Sequence, residues 1–204
     1  MHEEVLTKEQ KELLSPIRNF SGQFGLVGGT AIALQIGHRR SIDFDLFSNK
    51  RFFNTRIQDQ IRDEFRIEKV FVDRPNELTI LVNKVKITFY KYPFNIKYQI
   101  TLKNIIKTPD LLTLASMKSF ALGRRAKWKD YVDLYFLFKR YSLSEISKQA
   151  KKIFKGEFNE KLLREQLAYF EDIDYSEKVE FMPGKKVSDQ EIKETLTEVS
   201  LSLP

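Results

Sequence analysis

The chain has 204 residues, with 35 Lys+Arg against 28 Asp+Glu, two His and no Cys. Absence of Cys excludes disulfides, zinc–thiolate sites and cysteine nucleophiles, and two His argue against a His-rich metal centre or a His-dependent triad. At 42% hydrophobic and 31% charged, with eight Gly and six Pro, it reads as a globular chain with a sizeable core.

The first ten residues, MHEEVLTKEQ, lack the charged-then-apolar order of a signal peptide. Thr7-Lys8-Glu9-Gln10 fits a capping box, and Leu13, Leu14, Ile17 and Phe20 continue it as a helix that Pro16 bends or ends. Residues 24–27 read as a short strand closed by Gly28-Gly29, and residues 30–36 as a short helix. The glycine pair also breaks the most apolar window, residues 24–36, which is too short to span a bilayer. A soluble, cytoplasmic protein with no membrane contact is the expectation. Gly37 to Arg40 is a polar connection, and residues 41–47 (SIDFDLF) alternate with period 2, the mark of a strand.

Residues 53–64 look helical. Residues 66–72, 77–82 and 84–90 are rich in β-branched and aromatic side chains and read as three strands, with Asn83 at a turn. Thr108-Pro109-Asp110 predicts a helix start with Thr108 as N-cap, the helix running to Leu122 and stopping at Gly123. Further helices are expected over residues 127–140, from the capping box at Ser142 to about Ile153, over 158–170, and after Ser188. The order gives an α+β fold: an α/β half over residues 1–105, then a helical region over 106–204 packed on it.

Two carboxylates, Asp43 and Asp45, lie two apart on a predicted strand, so both take one face while Ile42, Phe44 and Leu46 take the other. Paired like charges repel unless a cation joins them, which suggests Mg²⁺. A solvated strand face is the plain alternative. Upstream, Gly28-Gly29-Thr30 allows close backbone approach and sits where a helix N-terminus offers N–H groups to phosphate. Together the two pieces are the halves of a metal–nucleotide site.

The string LVGGTAIAL…HRRSIDFDLFS, with KSFALGR and KDYVDLYFL downstream, resembles the AbiEii/AbiGii toxin-type nucleotidyltransferases of the polymerase-β-like superfamily. The resemblance spans roughly residues 24–140. It implies a nucleotidyltransferase core with a small mixed sheet flanked by helices, followed by a helical C-terminal half. It also implies transfer of a nucleoside monophosphate from NTP to an acceptor hydroxyl, and a cognate antitoxin as partner. Gly28, Gly29 and Thr30 would bind the triphosphate; Asp43 and Asp45 would hold Mg²⁺, with Mn²⁺ as an alternative. Lys118 would contact nucleotide phosphates, and Asp130, or else Asp133, would orient or deprotonate the acceptor. The superfamily's third carboxylate has no counterpart on the strand at 84–90, where Thr88 stands in its place.

The charge is uneven. Residues 1–83 carry 12 basic and 12 acidic side chains; residues 84–155 carry 17 against 4, or +13; residues 156–204 carry 6 against 12, or −6. The central block points to a polyanion, with RNA, such as a tRNA 3′ end, as the acceptor. Within it, Arg124, Arg125, Lys127 and Lys129 surround Trp128, so that Arg124 would pair with phosphate and Trp128 would stack on a base or anchor the helices. The acidic tail would fold back over the block. Arg39 and Arg40 either reach a phosphate or sit in a solvated turn, His38 reads as a surface turn residue, and the aromatic run 89–98 reads as an edge strand. A non-catalytic nucleotide or RNA binder, and a transferase acting on protein or a small molecule, are the rival readings.

Overall fold

The computed structural model describes residues 1–102, 104–122 and 124–202; the helix stop expected at Gly123 lies outside them. Two compact units emerge: Met1–Gly37 with Ser41–Asp110, and His38–Arg40 with Leu111–Pro204.

In the first unit a 3-10 turn, Glu3–Val5, precedes α1 (Lys8–Glu12) and α2 (Leu14–Asn19). The Thr7/Gln10 capping box forms in both directions, and Pro16 is absorbed in the first turn of α2, where its missing N–H costs nothing. Strand β1 (Gly25–Val27) runs directly into α3 (Gly28–Ile36), which Gly37 ends in the left-handed region at φ 72°. There follow β2 (Phe44–Ser48), α4 (Asn54–Arg62), β3 (Ile67–Arg74), β4 (Glu77–Val82), β5 (Val85–Lys91), β6 (Ile100–Leu102) and β7 (Ile106–Thr108). Among the described residues these form one mixed sheet of order β3-β4-β5-β2-β1-β7-β6. The pairs β2–β5 and β1–β7 are parallel and the others antiparallel.

Register separates the two faces of this sheet. Phe44, Ile87 and Ile80 form one row and Leu46, Phe89 and Leu78 another, all buried. Phe20, at the end of α2, meets Phe89 edge-on at 4.9 Å between ring centroids. On the opposite face Asp45, Thr88 and Thr79 line up across β2, β5 and β4. The alternation read from the sequence holds from Phe44 onward, but the strand starts later than expected. Ile42 is 57% exposed and Asp43 lies just before β2. Strand β5 is interior rather than the expected edge, because β4 covers one side and β2 the other. Thr108 is no N-cap: it ends β7 opposite Ile100 and is buried in the sheet.

The second unit is helical: α5 (Leu111–Leu122), α6 (Trp128–Phe138), α7 (Leu143–Phe154), α8 (Glu160–Ala168) and α9 (Asp189–Leu201). Ser142 and Ser188 cap as expected, and Asn159 accepts from Leu162 N–H to cap α8. Helix α5 packs on α6 and α7, and α8 on α9. Phe120 stacks on Phe154 at 4.0 Å, and Ser116 Oγ donates to the Ile146 carbonyl. The segment 38–40 belongs to this unit through an extended pairing with residues 180–182. Arg40 N–H donates to the Glu180 carbonyl at 2.8 Å and Met182 N–H to that of His38 at 3.0 Å.

Candidate active site

The residues singled out by sequence fall into two groups, one in each unit. In the first, α3 begins at the diglycine itself, so its unpaired leading N–H groups are those of Gly28, Gly29 and Thr30. Gly28 has φ +71°, and a Cβ there would run into the Asp45 carboxylate. The glycine is therefore required twice, by its backbone conformation and by the closeness of the carboxylate. Thr30 is buried, and its hydroxyl donates to the carbonyls of Ser41, at 3.1 Å, and of Asp43. That tether fixes the approach to β2 and occupies the Thr30 hydroxyl, so at the helix end the residue presents its backbone N–H rather than its side chain.

Asp45 stands opposite Val27 on β1 and Thr88 on β5. The neighbouring strand thus places a hydroxyl, not a carboxylate, beside it. Thr79 Oγ1 donates weakly to Thr88 Oγ1 at 3.4 Å. Asp43 faces Lys86, whose Nζ lies 3.1 Å from Oδ2. Among the described residues no set of three His, Cys, Asp or Glu groups could hold a metal ion. Two carboxylates beside a helix N-terminus still fit Mg²⁺, which commonly takes one or two carboxylates and completes its shell with phosphate oxygens and water. Gly28→Ala should displace the Asp45 carboxylate and strain the loop. For the transfer that the resemblance implies, we expect a fall of at least about a hundredfold while the thermal midpoint drops by only a few degrees, measured on one preparation by turnover and melting.

The second group is a buried charge cluster. Lys118 is 5% exposed, and Asp130 and Asp133 are both 0% exposed. Lys118 Nζ lies 2.7 Å from Asp130 Oδ1 and 3.0 Å from Asp133 Oδ2. Arg39 grips Asp133 with Nε at 2.7 Å and a terminal nitrogen at 2.9 Å, a two-point pairing. Arg125 Nε reaches Asp130 Oδ2 at 2.8 Å, and His38 Nε2 donates to Asp133 Oδ1 at 2.7 Å. Burial alone would push both carboxyls up. The surrounding cations outweigh it, Lys118 and Arg125 at Asp130, Arg39 and Lys118 at Asp133, and hold both below the usual range. Asp130, low in pKa and bonded at both oxygens, is a poor base; its geometry is that of a group that holds Lys118 and Arg125 in place.

The expected solvated turn at His38 and Arg39 is therefore corrected: both side chains are buried and anchored to α6. Burial pushes the His38 imidazole below its ordinary 6.5 despite the pull of Asp133. Between the folded and unfolded pKa values the unfolded chain binds a proton that the folded chain refuses, so stability falls as pH drops below 6.5. Denaturant unfolding at intervals between pH 5 and 8 should show this slope, at most about 1.4 kcal/mol per pH unit. His38→Gln, which keeps a donor to Asp133, should flatten it.

Several other basic residues of the central block pair with acidic residues of the tail. Lys127 and Lys129 both pair with Glu177; Lys139 lies 3.7 Å from Glu191 and Lys151 2.6 Å from Glu160. Trp128 is buried between Tyr131 and Tyr175, which settles it as an anchor of the helices rather than a stacking platform. Arg124 lies outside the cluster, with its side chain 50% exposed and its guanidinium over the Phe120 ring at 3.5 Å. Sequence reading gave Arg39 to a phosphate or a solvated turn rather than to Asp133, and gave Asp133 second place. A signal was present: Lys118 is the lone charge in the twelve residues of α5, a placement that demands a buried counter-charge.

Residues 13–198 match the model of the family described as "Nucleotidyl transferase AbiEii toxin, Type IV TA system". The chain belongs to the AbiEii nucleotidyltransferase toxin family. It is 32% identical over 180 residues to the uncharacterised protein aq_aa25 of Aquifex aeolicus (strain VF5), covering 82% of this chain and 84% of that one. The fold is that of MenT4, a nucleotidyltransferase toxin from Mycobacterium tuberculosis H37Rv. The TM-score is 0.60 at 13% identity, over 95% of this chain and 82% of that one. JHP933 from Helicobacter pylori superposes with a TM-score of 0.53 at 16% identity, over 96% of this chain and 91% of that one. The α+β nucleotidyltransferase fold read from the sequence is thus the fold observed. Among the described residues no helix is long and apolar enough to cross a membrane.

Proposed function

We propose that this member of the toxin family transfers a nucleoside monophosphate from an NTP to a hydroxyl on RNA, with a tRNA 3′ end as acceptor. An acceptor oxygen bonds to the α-phosphorus as the bond to the bridging oxygen breaks, and pyrophosphate leaves. The observation that carries this reading is the meeting of Gly28 with the Asp45 carboxylate, which joins a phosphate-binding helix end to a metal-binding pair within one unit. Asp43 and Asp45 would hold Mg²⁺, which when bound neutralises charge on the phosphate oxygens. The backbone N–H groups of Gly28, Gly29 and Thr30 would cradle the triphosphate. Lys86 lies where it can balance Asp43 before the metal arrives. Lys118, which the resemblance assigns to the triphosphate, is held within the helical unit by Asp130 and Asp133. The RNA acceptor rests on lysines of the central block, with a cognate antitoxin as the second partner.

The test is incubation with each labelled NTP, Mg²⁺ and total RNA. Label moving into RNA supports the reading; label on protein or a small molecule, or none anywhere, overturns it. One observation favours a second reading, a nucleotide binder without turnover: Thr88 beside Asp45 withholds a third carboxylate. NTP binding without pyrophosphate release, in Mg²⁺ and in Mn²⁺, would select that alternative.

A further inference from the structure

The helical unit holds a cavity of about 290 Å³, close to the lower end of small-ligand pockets, about 300 Å³. None of the residues discussed above for metal or triphosphate lines it, apart from Arg124. Its walls are apolar where Phe120, Phe158 and Leu163 contribute, and polar where Ser119, Arg124, Glu157 and Asn159 do. Ser119 is 1% exposed, yet among the described residues its Oγ has no hydrogen-bond partner. An unmet buried hydroxyl costs free energy unless something at the site satisfies it, so it points to a bound group that is polar at one edge.

The chemistry of the lining selects that group. The Arg124 guanidinium lies over the Phe120 ring, its carbon 3.5 Å from the centroid, and keeps half of its side chain exposed. A guanidinium fixed on one face by an aromatic ring presents its other face as a stacking surface for a second planar ring. Glu157, 3.7 Å from Arg124, is an acceptor, and its charge opposes an anionic ligand. Asn159 spends its Oδ1 on the α8 cap, and its amide NH₂ is a donor. A flat, uncharged ring carrying both donors and acceptors on its edge meets all of these demands. A phosphate could accept from Arg124, Ser119 and Asn159, but Glu157 opposes its charge and the apolar walls of Phe120, Phe158 and Leu163 give it nothing.

We infer that this cavity is a nucleobase subsite, in which a base stacks on Arg124 and uses Ser119, Glu157 and Asn159 at its edge. The identification of the ring as a nucleobase rests on the transferase reading above. Its source is either the NTP or the terminal nucleotide of the acceptor RNA.

The test uses the full chain labelled at leucine methyls and phenylalanine rings, titrated separately with the four ribonucleosides, inorganic phosphate, each NTP with Mg²⁺, and a short single-stranded RNA. At least one ribonucleoside should shift Leu163 and Phe120 resonances, and phosphate should not. Arg124→Ala, at an exposed position that the fold tolerates, should weaken that binding about tenfold to a hundredfold. Ser119→Ala should weaken it about threefold, and Leu162→Trp at the pocket rim should block it. Shifts produced by NTP assign the pocket to the donor base, and shifts produced by RNA alone assign it to the acceptor; either supports the inference. Phosphate reproducing the shifts, or no nucleoside reaching Leu163, overturns it. An Asp43→Ala, Asp45→Ala variant separates the two readings, because nucleoside binding at the pocket should survive there while transfer is lost. Transfer by the wild type with no nucleoside at the pocket sinks the subsite alone.

Discussion

Asp45→Asn should reduce transfer below about one thousandth of the wild-type rate and leave the fold intact. The substitution keeps size and hydrogen-bonding reach but removes the charge that a divalent cation needs. Loss of a single preorganised charge-stabilising group typically costs about a hundred- to a thousandfold, and the contribution of the proposed metal would be lost with it. The side chain sits on a strand flanked on both sides, opposite Val27 and Thr88, so the backbone has no reason to move. Asp43→Asn should be comparably inactive but differ in its metal response. Lys86 lies 3.1 Å from the Asp43 carboxylate and loses its counter-charge when that carboxylate is neutralised. Lys86→Met should accordingly tighten Mn²⁺ binding to the otherwise native site. Turnover, far-ultraviolet circular dichroism and a Mn²⁺ titration on one set of variants check these outcomes. Residual transfer by Asp45→Asn above about a tenth of wild type would remove the carboxylate pair from the reaction.

The sequence was most readable where local chemistry and fold agree. The caps at Thr7, Ser142 and Ser188 are complete within four residues, so nothing distant could override them. Strands β3 to β5 declared themselves by β-branched and aromatic runs, the last two joined at Asn83, which takes the positive φ of 48° that a tight hairpin turn requires. The diglycine at the start of α3 and Asp45 on β2 were legible from local spacing, whereas Asp43, expected on the same strand, falls just before it. Strands β6 and β7 were not legible, since three residues are too few for a period to show. Thr108-Pro109-Asp110 misled because its composition is equally right for a cap and for the end of a strand. The charge cluster was hidden by sequence separation: His38 and Asp133 are 95 residues apart. A His-Arg-Arg run beside a glycine looks like a solvated turn until the helix that buries it is known.

That cluster carries the second large effect. Asp133→Ala should destabilise the protein by about 3–5 kcal/mol, because it strips the shared counter-charge from two buried cations. Arg39 would lose both of its bonds to the carboxylate, and Lys118 would keep only Asp130. His38 would also lose the acceptor of its Nε2–H while its Nδ1 is already without a hydrogen-bond partner among the described residues. The cost therefore comes less from the lost attraction than from polar groups stranded without water. A paired replacement distinguishes the two. Arg39→Met with Asp133→Leu removes a cation and an anion together, so the double variant should be more stable than Asp133→Ala alone by about 0.5–3 kcal/mol. The wild-type ion pair should also resist acid. Its stabilisation is present above the unfolded carboxyl value of 3.8 and fades only as pH falls toward the much lower folded value. Denaturant unfolding of the three proteins at neutral pH measures the comparison. A loss under about 1 kcal/mol for Asp133→Ala would mean that water enters the cluster and that the segment 38–40 is held by its backbone pairing with residues 180–182 instead.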